Sequence, residues 1–294
     1  MQENVEPRIL FVVNPALPRT GPTFGGRLGQ VARRLGWESS ILETRAGSNV
    51  EAIGAALARG TFSMVIAAGG DGTVAEVMAA AHGRSIAVGI VPCGTGNIVA
   101  RELGLPASWR KGLRRILRSD PQMRPVDLAR VNDGYSVLAA GMGLDALIIR
   151  HTPSGLKYWL GRLAYFMVGV WIVPTAPIFH CVIRADGAEF AVAATMVLVA
   201  NAGMLGGGPF RFAPGIAIDD GWLDLIIYRP ASIAGRWRVL WGIVSGRPAE
   251  ITQRKVHSVE IKATDEFWHQ VDGEVKRGNV VRAQIIPGGI NVVV

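Results

Sequence analysis

A run of five apolar residues, Met64–Ala68, leads directly into Gly69-Gly70-Asp71-Gly72-Thr73, and a helical pattern follows from Thr73 to Ala81. A strand that ends in glycines and opens a helix presents backbone amides at the helix N-terminus, where the N–H groups and the helix dipole both favour an anion. Glycine also lets the backbone touch a phosphate without a side-chain clash. Asp71 is unusual there, because a carboxylate repels phosphate unless a metal ion lies between them. The loop therefore predicts a phosphate site, the alternative being an ordinary strand-to-helix turn that Asp71 caps.

A second loop of the same kind follows the next predicted strand. The apolar run Ala87–Val91 continues into Pro92-Cys93-Gly94-Thr95-Gly96-Asn97, and a helix is predicted from Ile98 to Leu103. Two glycine-rich loops at the carboxyl ends of neighbouring strands define the kind of crevice in which open α/β sheets bind ligands. Neither loop fits the P-loop or the dinucleotide fingerprint. The pair predicts a nucleotide site of another kind.

The same alternation of strand and helix patterns extends over the first 125 residues. Strands are predicted at Ile9–Val13, Ser39–Thr44, Met64–Ala68 and Ala87–Val91, and helices at Phe24–Leu35, Val50–Arg59, Thr73–Ala81 and Ile98–Leu103. Strands that are apolar on both faces and separated by helices indicate a parallel sheet covered on both sides. We therefore predict an α/β nucleotide-binding domain with an open parallel sheet at residues 1–125.

After Pro125 the pattern changes to strands separated by hairpin signals. Strands are predicted at Val126–Asn132, Tyr135–Gly141, Phe179–Ala185, Ala191–Val199, Trp222–Tyr228, His257–Ala263 and Val280–Ile286. Asp133-Gly134 and Asp186-Gly187 are typical two-residue hairpin turns. We predict a β-rich, mostly antiparallel second domain at 126–286 and a last strand at about 287–294 that returns to the first domain. A cleft is expected between the two domains.

Composition excludes several classes of protein. Of the 294 residues, 49% are hydrophobic and 18% are charged, against about 25% charged residues in average domains, which excludes a disordered chain. Two cysteines, Cys93 and Cys181, are too few for a disulfide framework or a cysteine-rich zinc site. The N-terminal MQENVEPRI carries acidic residues where a signal peptide has a basic start. A reducing, cytoplasmic setting is predicted.

One segment is long enough to be tested as a membrane span. Leu163–Ile183 contains 21 residues without a formal charge, and about 20 apolar residues cross a bilayer. Pro174 and Pro177 interrupt it. We predict a buried or surface-lying helix at Lys157–Val173 that Pro174 ends, rather than a transmembrane helix.

Together with shorter motifs, the two glycine-rich loops resemble the lipid kinase family that includes bacterial diacylglycerol kinases and the sphingosine and ceramide kinases. The matching segments are Asn14-Pro15, Thr44 with Arg45–Gly47, Gly69–Thr73 with Glu76, Gly94–Asn97, Val126–Leu128, Gly141–Ala146, Lys157, Gly161, Tyr165, Asp219–Asp224 and Asp272–Glu274. GGDGT alone is also found in NAD kinases and phosphofructokinases. The whole set in this order, over nearly the full chain, is specific.

The resemblance implies ATP and Mg²⁺ as cofactors and a membrane lipid as the phosphate acceptor. It implies nucleotide contacts at Asn14, Thr44, Gly69, Gly70, Asp71, Gly72, Thr73, Glu76, Gly94, Thr95, Gly96 and Asn97. It also implies a structural metal ion held by the Asp220 carboxylate with backbone oxygens of Ala217 and Trp222. From spacing alone, an Asp-Asp-Gly turn with capping aspartates is equally compatible with Asp219–Gly221.

Three positions depart from the pattern of the family. Ala16–Gly21 reads ALPRTG where Ser-Gly is usual, Ala75 stands where asparagine is usual, and Ile98 stands where aspartate is frequent. Ala75 removes one side-chain hydrogen bond, and Ile98 removes one carboxylate. These changes bear on substrate class and activity.

Phosphoryl transfer requires a lipid hydroxyl held in line with the γ-phosphate, with Mg²⁺ neutralising the oxygens and a carboxylate accepting the proton. Asp272 and Glu274, from the family's DGE motif, rank first as the base because they would come from the second domain. Asp71 is the alternative base, or it orders Mg²⁺ instead. Asp272-Gly273 could also be a plain hairpin turn. We expect Asp71→Asn and Asp272→Asn each to reduce the rate by about 10²–10⁴-fold with the fold intact.

Three functions remain open on the sequence. The first is an ATP-dependent kinase acting on a membrane-resident alcohol such as diacylglycerol. The second is an NAD kinase-like enzyme for a soluble small molecule, against which Gly94–Asn97 and Asp272–Glu274 argue. The third is a non-catalytic lipid-binding relative, which Ala75 and Ile98 would suit.

Basic residues are concentrated in two stretches of a chain with net charge +8. Residues 101–130 contain eight basic and three acidic residues, and residues 229–255 contain six and one. The tryptophans near these clusters, a mixture typical of membrane interfaces, are Trp109, Trp159, Trp237 and Trp241. We predict reversible, salt-sensitive, peripheral association with anionic membranes through Arg110–Arg118 and Arg236–Lys255, and no nucleic-acid partner. A homodimer is compatible with the sequence.

Overall fold

The computed structural model describes residues 8–118, 120–153, 162–204, 211–229, 232–245 and 251–294. The chain divides into two compact units, an N-terminal unit of Met1–Val126 with Gly288–Val294 and a C-terminal unit of Asp127–Pro287. Within the described residues, no helix combines the length and the apolar character that crossing a bilayer requires.

The N-terminal unit is built on a parallel sheet. Its strands are β1 (Arg8–Val13), β2 (Glu38–Glu43), β3 (Met64–Gly69) and β4 (Ala87–Pro92), in the spatial order β2-β1-β3-β4. The end of β14 (Glu274–Val293) joins β4 in parallel, with Val292 opposite Val88. Every residue of β3 and β4 is buried, as expected for strands that helices cover on both faces. The predicted α/β class is confirmed.

The helices described in this unit are α1 (Phe24–Arg34), α2 (Val50–Arg59), α3 (Asp71–Ala81), α4 (Ile98–Glu102) and α5 (Trp109–Ile116). Phe24 and Leu28 of α1 pack in one core with Phe11 of β1. Helix α5 was not predicted, because half of its eight residues are basic and its buried residues are few. Ile116 of α5 packs on β4 at Gly89, where an added Cβ atom would come within 3.1 Å of its side chain.

The C-terminal unit is mostly antiparallel. Its strands are β5 (Met123–Val131, which starts in the N-terminal unit), β6 (Gly134–Ser136), β7 (Ala139–Gly143), β8 (Phe179–Ala185), β9 (Ala188–Ala194), β10 (Met196–Ala200), β11 (Leu223–Tyr228), β12 (Ile251–Val256), β13 (Ser258–Val271) and β14. The order β12-β11-β10-β7-β13-β14 forms the main sheet, β8 and β9 extend it from β13, and β6 pairs with β5. The predicted β-rich class of this domain is confirmed.

The helices described in the C-terminal unit are α6 (Leu144–His151), α7 (Arg162–Ile172) and α8 (Ile233–Ser245), with a 3₁₀ turn at Val173–Thr175. Pro174 lies in this turn and ends α7 as predicted. The first residues of the predicted helix, Lys157–Gly161, lie outside the described residues.

Two predicted strands were wrong, because each is divided into two shorter strands. In both, amides in the middle of the predicted strand donate hydrogen bonds to groups that are distant in the sequence. Tyr135–Gly141 divides into β6 and β7, and the amides between them, at Val137 and Leu138, donate to a carboxylate of Asp272. Ala191–Val199 divides into β9 and β10 at Thr195, whose amide donates to the Tyr228 carbonyl.

The hairpin turns were largely predictable. Asp186-Gly187 closes β8 and β9, with Ala185 opposite Ala188. The first turn is one residue earlier than predicted: Val131 pairs with Gly134, so that Asn132-Asp133 form the turn. The two short strands predicted near the C-terminus are the long hairpin β13–β14, which turns at Asp272-Gly273 with Val271 opposite Glu274.

Candidate functional site

The predicted nucleotide-binding loops all follow the carboxyl ends of neighbouring parallel strands. They are Asn14 after β1, Thr44 after β2, Gly69–Thr73 at the end of β3 and Gly94–Asn97 after β4. Backbone hydrogen bonds tie adjacent strand ends together: the Thr44 amide donates to the Val13 carbonyl (2.8 Å) and the Cys93 amide to the Gly69 carbonyl (2.8 Å). This edge of a parallel sheet is where open α/β folds bind their ligands.

The two glycine-rich loops touch each other. A Cβ atom added at Gly94 would lie 2.6 Å from the Cα of Gly70, closer than non-bonded carbons can approach. Asp71 spans the same junction, because its Oδ1 accepts a hydrogen bond from the Val99 amide (3.2 Å). A Cβ atom at Gly96 would lie 2.8 Å from Oδ2 of Asp71. Only residues without a side chain at 94 and 96 allow the two loops to meet in this way.

The first loop delivers a helix N-terminus to this junction. Helix α3 begins at Asp71, directly after Gly70, which has no side chain with which to cap it. The amides of Gly72 and Thr73 in the first turn are the groups that an incoming anion would meet. A helix N-terminus beside a second glycine-rich loop is an arrangement that binds phosphate.

Asn97 shapes the second loop from within. Its side-chain amide donates to the Gly94 carbonyl (2.8 Å), and its Oδ1 accepts from the Gly94 amide (2.9 Å). The residue itself takes a left-handed conformation with φ of 49°. The side chain of Asn97 therefore closes the loop, and the exposed Thr95 at its tip is the side chain that faces outward.

Glu76 supports the site indirectly, through a residue that the sequence did not single out. Its Oε1 accepts from the Asn49 amide (2.9 Å) and from Nδ2 of Asn49 (3.1 Å). Asn49 in turn bonds both backbone groups of Arg45. Glu76 and Asn49 thus hold the segment that follows Thr44. The signal in the sequence was the position of Asn49 directly before α2, where a polar residue begins a helix.

Asp272 lies in the turn of the β13–β14 hairpin, and four donors surround its carboxylate. Oδ1 accepts from the Ser136 hydroxyl (2.6 Å) and from the amides of Leu138 (2.9 Å) and Ala139 (3.1 Å), while Oδ2 accepts from the Val137 amide (2.9 Å). Burial raises the pKa of Asp272, and these four hydrogen bonds oppose the shift. A carboxylate bonded in this way is suited to holding the segment between β6 and β7 in place.

Glu274, two residues further on, is in a different environment. It is the first residue of β14 and is exposed. Within the described part of the chain, no hydrogen bond or ion pair of its carboxylate is present. Of the two predicted carboxylates, Glu274 is the one that can accept a proton without breaking a contact.

A chain of hydrogen bonds through the buried Gln270 connects the Asp272-Gly273 turn to α6. The Gly273 amide donates to Oε1 of Gln270 (2.8 Å), and Nε2 of Gln270 donates to Oδ2 of Asp145 (3.0 Å). Oδ1 of Asp145 is buried and has no hydrogen-bond partner among the described residues. A Cβ atom at Gly141 would lie 2.2 Å from Oδ2 of Asp145, so the glycine makes room for this carboxylate. Neither Asp145 nor Gln270 was predicted as a site residue.

Asp145 is expected to give the chain an unusual pH dependence of stability. Burial, opposed by the bond from Gln270, raises the pKa of Asp145 from 3.8 to about 6. Because the folded state then holds this proton more tightly than the unfolded state, the contribution of Asp145 to the free energy of unfolding grows as the pH falls from about 6 to about 4. A shift of about two pKa units corresponds to roughly 3 kcal/mol. Urea unfolding over this pH range, compared between the wild type and Asp145→Asn, measures the gain.

The comparison with Asp145→Asn also separates this effect from that of His269. The pKa of His269 is lowered by burial and by Lys276, so His269 contributes stability that is lost as the pH falls. His269 is present in both proteins, and its effect cancels in their difference. A difference in free energy of unfolding that does not vary with pH would contradict the raised pKa of Asp145.

The carboxylate of Asp220, for which the resemblance implies a metal ion, already pairs with the side chain of Lys255. Oδ2 of Asp220 accepts from Nζ of Lys255 (2.5 Å), and Oδ1 accepts from the Trp222 amide (3.0 Å). The neighbouring Asp224 is 1% exposed, and Gln253 donates to its Oδ1 (2.8 Å). Among the residues that the structure describes, no group of three or more His, Cys, Asp or Glu side chains is placed to hold a metal ion. The oxygens of Asp220 and Asp224 therefore do not fit a metal ion as long as Lys255 is paired with Asp220.

The resemblance predicts a metal ion at Ala217, Asp220 and Trp222, whereas the pairing of Asp220 with Lys255 predicts none in the wild type, and Lys255 provides the test that decides between them. We expect the melting temperature of the wild type to be equal in EDTA and in millimolar Mg²⁺. Lys255→Met should cost about 1 kcal/mol, as for a partly exposed ion pair, and Mg²⁺ should restore the loss because the carboxylates then lack a cation. Lys262→Met, at an exposed lysine of β13, is the control. Metal-dependent melting of the wild type would establish the metal site instead.

Comparisons with known families match both units. Residues 8–131 match the diacylglycerol kinase catalytic domain, and residues 138–294 match the YegS C-terminal NAD kinase beta sandwich-like domain. A crystal structure of a diacylglycerol kinase from Bacillus anthracis strain Sterne superposes with a TM-score of 0.74 at 20% identity, covering 99% of this chain and 98% of that chain. At this identity the superposition shows the common fold.

Two relatives share a higher sequence identity with this chain than that structure does. The chain is 30% identical over 276 residues to a diacylglycerol kinase of Bacillus subtilis strain 168, which covers 91% of this chain and 89% of the relative. It is 32% identical over 231 residues to a probable lipid kinase YegS-like of Klebsiella pneumoniae strain 342, covering 77% of this chain and 76% of the relative. By these matches the chain belongs to the diacylglycerol kinase family of lipid kinases, which are phosphotransferases with an alcohol as acceptor.

Proposed function

We propose that this lipid kinase uses ATP and transfers the γ-phosphate to the hydroxyl of a membrane lipid such as diacylglycerol or a related lipid alcohol. The observation that carries the proposal is the contact of the two glycine-rich loops at Gly70 and Gly94, at the carboxyl edge of the parallel sheet. Two adjoining phosphate-binding loops suit a polyphosphate better than a single phosphate. The α3 N-terminus adds the positive end of a helix dipole.

In this proposal the N-terminal unit binds the nucleotide. The amides of the loops 69–73 and 94–97 contact the phosphates, and Asn14 and Thr44 contact the nucleotide from the two strand ends beyond β3. Mg²⁺ enters with ATP as part of the substrate and neutralises charge on the phosphate oxygens. Asp71, at the junction of the loops, is the residue that would hold it.

The C-terminal unit contributes the acid–base group. The lipid hydroxyl oxygen forms a bond to the γ-phosphorus, the bond from that phosphorus to the β–γ bridging oxygen breaks, and ADP leaves. Glu274 accepts the hydroxyl proton. Asp272 acts as a positioning residue, because its four hydrogen bonds fix the turn from which Glu274 projects.

The site of action follows from the nature of the acceptor. A lipid with two acyl chains does not leave the bilayer readily, so the kinase has to work at the membrane surface as a peripheral protein. ATP is available on the cytoplasmic side, which places the kinase on the cytoplasmic face of a membrane.

A labelling experiment tests the function. Purified protein is incubated with [γ-³²P]ATP and Mg²⁺ and, separately, with diacylglycerol, ceramide and sphingosine in mixed micelles and with NAD in buffer. Labelled lipid is the expected result, and Asp71→Asn, prepared in parallel, should label it about 10²–10⁴-fold more slowly. Labelled NAD would replace the proposal by an NAD kinase-like activity, and absence of label from every acceptor would favour a non-catalytic lipid-binding protein.

A further inference from the structure

Apolar side chains are exposed in an uneven pattern. Of the eight large hydrophobic residues exposed in the described part of the chain, five belong to α7, α8 or the segment just before β8. They are Met167 (52% exposed), Trp171 (85%), Ile178 (51%), Trp237 (41%) and Trp241 (71%). We call these five residues the tryptophan face.

Local geometry arranges four of these residues in two pairs and ties their helices together. Met167 and Trp171 are four residues apart on α7, and Trp237 and Trp241 are four apart on α8, so that each pair lies on one side of its helix. Arg236 connects the helices: its Nη1 donates to the carbonyls of Pro174 (2.8 Å) and Ala176 (2.9 Å), in the turn that follows α7. The start of α8 is thus held against the end of α7.

The chemistry of the two helices fits an anionic lipid surface. Their 24 residues include Arg162, Arg236 and Arg238 but no aspartate or glutamate. Tryptophan is the side chain that is enriched where hydrocarbon meets headgroups. Two acid-free helices that present tryptophans are typical of segments that lie in the membrane interface.

Several of the residues predicted to bind a membrane have partners within the chain or lie outside the described residues. Arg236 is engaged with backbone carbonyls and Lys255 with Asp220. Trp109, predicted as an anchor, is half-buried instead, packed edge-on against Phe24 at 5.2 Å between ring centroids and covered by Arg110. Trp159 lies outside the described residues. The exposed cations of the first stretch are the four of α5 together with Arg101, Arg118 and Arg130, and those of the second are Arg229, Arg238 and Arg254, with Lys255 exposed but paired.

We propose that the tryptophan face of α7 and α8 inserts into the surface of the bilayer and docks the kinase on the membrane that contains its substrate. This inference rests on the proposed function for the identity of the surface, and it adds the site and the mode of attachment. Insertion of apolar rings does not depend on charge, so binding should persist in high salt and to neutral lipid. Only the contribution of the exposed cations, those of α5 and Arg238 among them, should be salt-sensitive.

Vesicle sedimentation tests the docking site. The proteins are the wild type, the double variant Trp171→Ala/Trp241→Ala, and Leu35→Ser, which alters an exposed apolar residue of the N-terminal unit. On phosphatidylcholine vesicles with and without phosphatidylglycerol, the double variant should bind about tenfold less or weaker still. Leu35→Ser should bind like the wild type. Brominated lipid should quench the tryptophan fluorescence of the wild type.

Kinase assays separate this inference from the proposed function. The double variant should phosphorylate a short-chain, water-soluble diacylglycerol like the wild type and lose activity only on vesicles. Unchanged vesicle binding of the double variant would overturn the docking site even if the lipid is phosphorylated. A dimeric wild type and a monomeric double variant with equal vesicle binding would identify the face as a contact between copies of the chain. If vesicle binding depends on the tryptophans but no lipid is phosphorylated, the docking site is supported and the proposed kinase function is wrong.

Discussion

Replacing Asp71 by asparagine is expected to reduce kcat by about 10²–10⁴-fold and to leave the chain folded. The side chain lies at the junction of the two glycine-rich loops, where Oδ1 accepts from the Val99 amide and Oδ2 lies close to Gly96. Asparagine has the same shape and can still accept that hydrogen bond, so the loops should keep their contact. What it loses is the negative charge, and with it the ability to hold Mg²⁺ or to accept a proton. Initial rates and thermal melting of the same preparations measure both effects.

Asp133→Asn is the matched control for Asp71→Asn. Asp133 is an exposed aspartate of the β5–β6 turn and belongs to none of the predicted sites. Its exchange removes the same charge, so it corrects for any general effect of charge on binding to micelles. If Asp71→Asn kept the rate of this control, the phosphate-binding loops would not be the active site.

The parallel sheet and its loops were predictable because their signals are local. Strands that are buried on both faces leave continuous apolar runs, and glycines at their ends mark the turns. Helix α2 begins and ends at the predicted residues, Val50 and Arg59. The contact of Gly70 with Gly94 could also be expected, because the ends of adjacent parallel strands meet at one edge.

Features that depend on distant residues were not predictable. The break between β6 and β7 exists because the carboxylate of Asp272, more than 130 positions away in the chain, binds the amides there. Helix α5 has few apolar residues, and it folds because Leu113 and Ile116 reach the core of the N-terminal unit. No pattern within a short window contains this information.

The same limit applies to the roles of site residues. Motif similarity selected Glu76 and Asp272, but it did not distinguish a group that contacts substrate from one that holds a neighbouring segment. Glu76 is bonded to Asn49, and Asp272 is bonded to the segment that contains Val137. Roles of this kind become visible only when the partners of each carboxylate are known.

Asp272→Asn is now expected to destabilise the chain, in contrast to the intact fold that the sequence alone predicted. The carboxylate accepts four hydrogen bonds, three of them from backbone amides. Asparagine replaces one oxygen by an NH₂ group that would face these donors, so that at least one bond is lost and one buried amide is left without an acceptor. Each such loss costs about 1–3 kcal/mol, and we expect a total of about 2–4 kcal/mol in urea unfolding.

Glu274→Gln, unlike Asp272→Asn, should leave the stability of the chain nearly unchanged and reduce its activity. Its side chain is exposed and makes no hydrogen bond or ion pair with the described residues, so the free energy of unfolding should remain within about 0.5 kcal/mol of the wild type. If Glu274 accepts the proton of the lipid hydroxyl, kcat should fall by about 10²–10⁴-fold. Activity of both variants is measured at a temperature where Asp272→Asn is still folded, so that loss of stability and loss of chemistry are read separately.

Ser136→Ala tests whether Asp272 holds the turn in place or takes part in proton transfer. It removes one of the four donors to Asp272 and no charge, so it should lower stability by about 1 kcal/mol and activity only slightly. A full-rate Glu274→Gln together with a stable but inactive Asp272→Asn would assign the base to Asp272. In that case the hydrogen bonds from Ser136 and the three amides would have to be the contacts that tune a catalytic carboxylate, because they would no longer be needed to hold the turn.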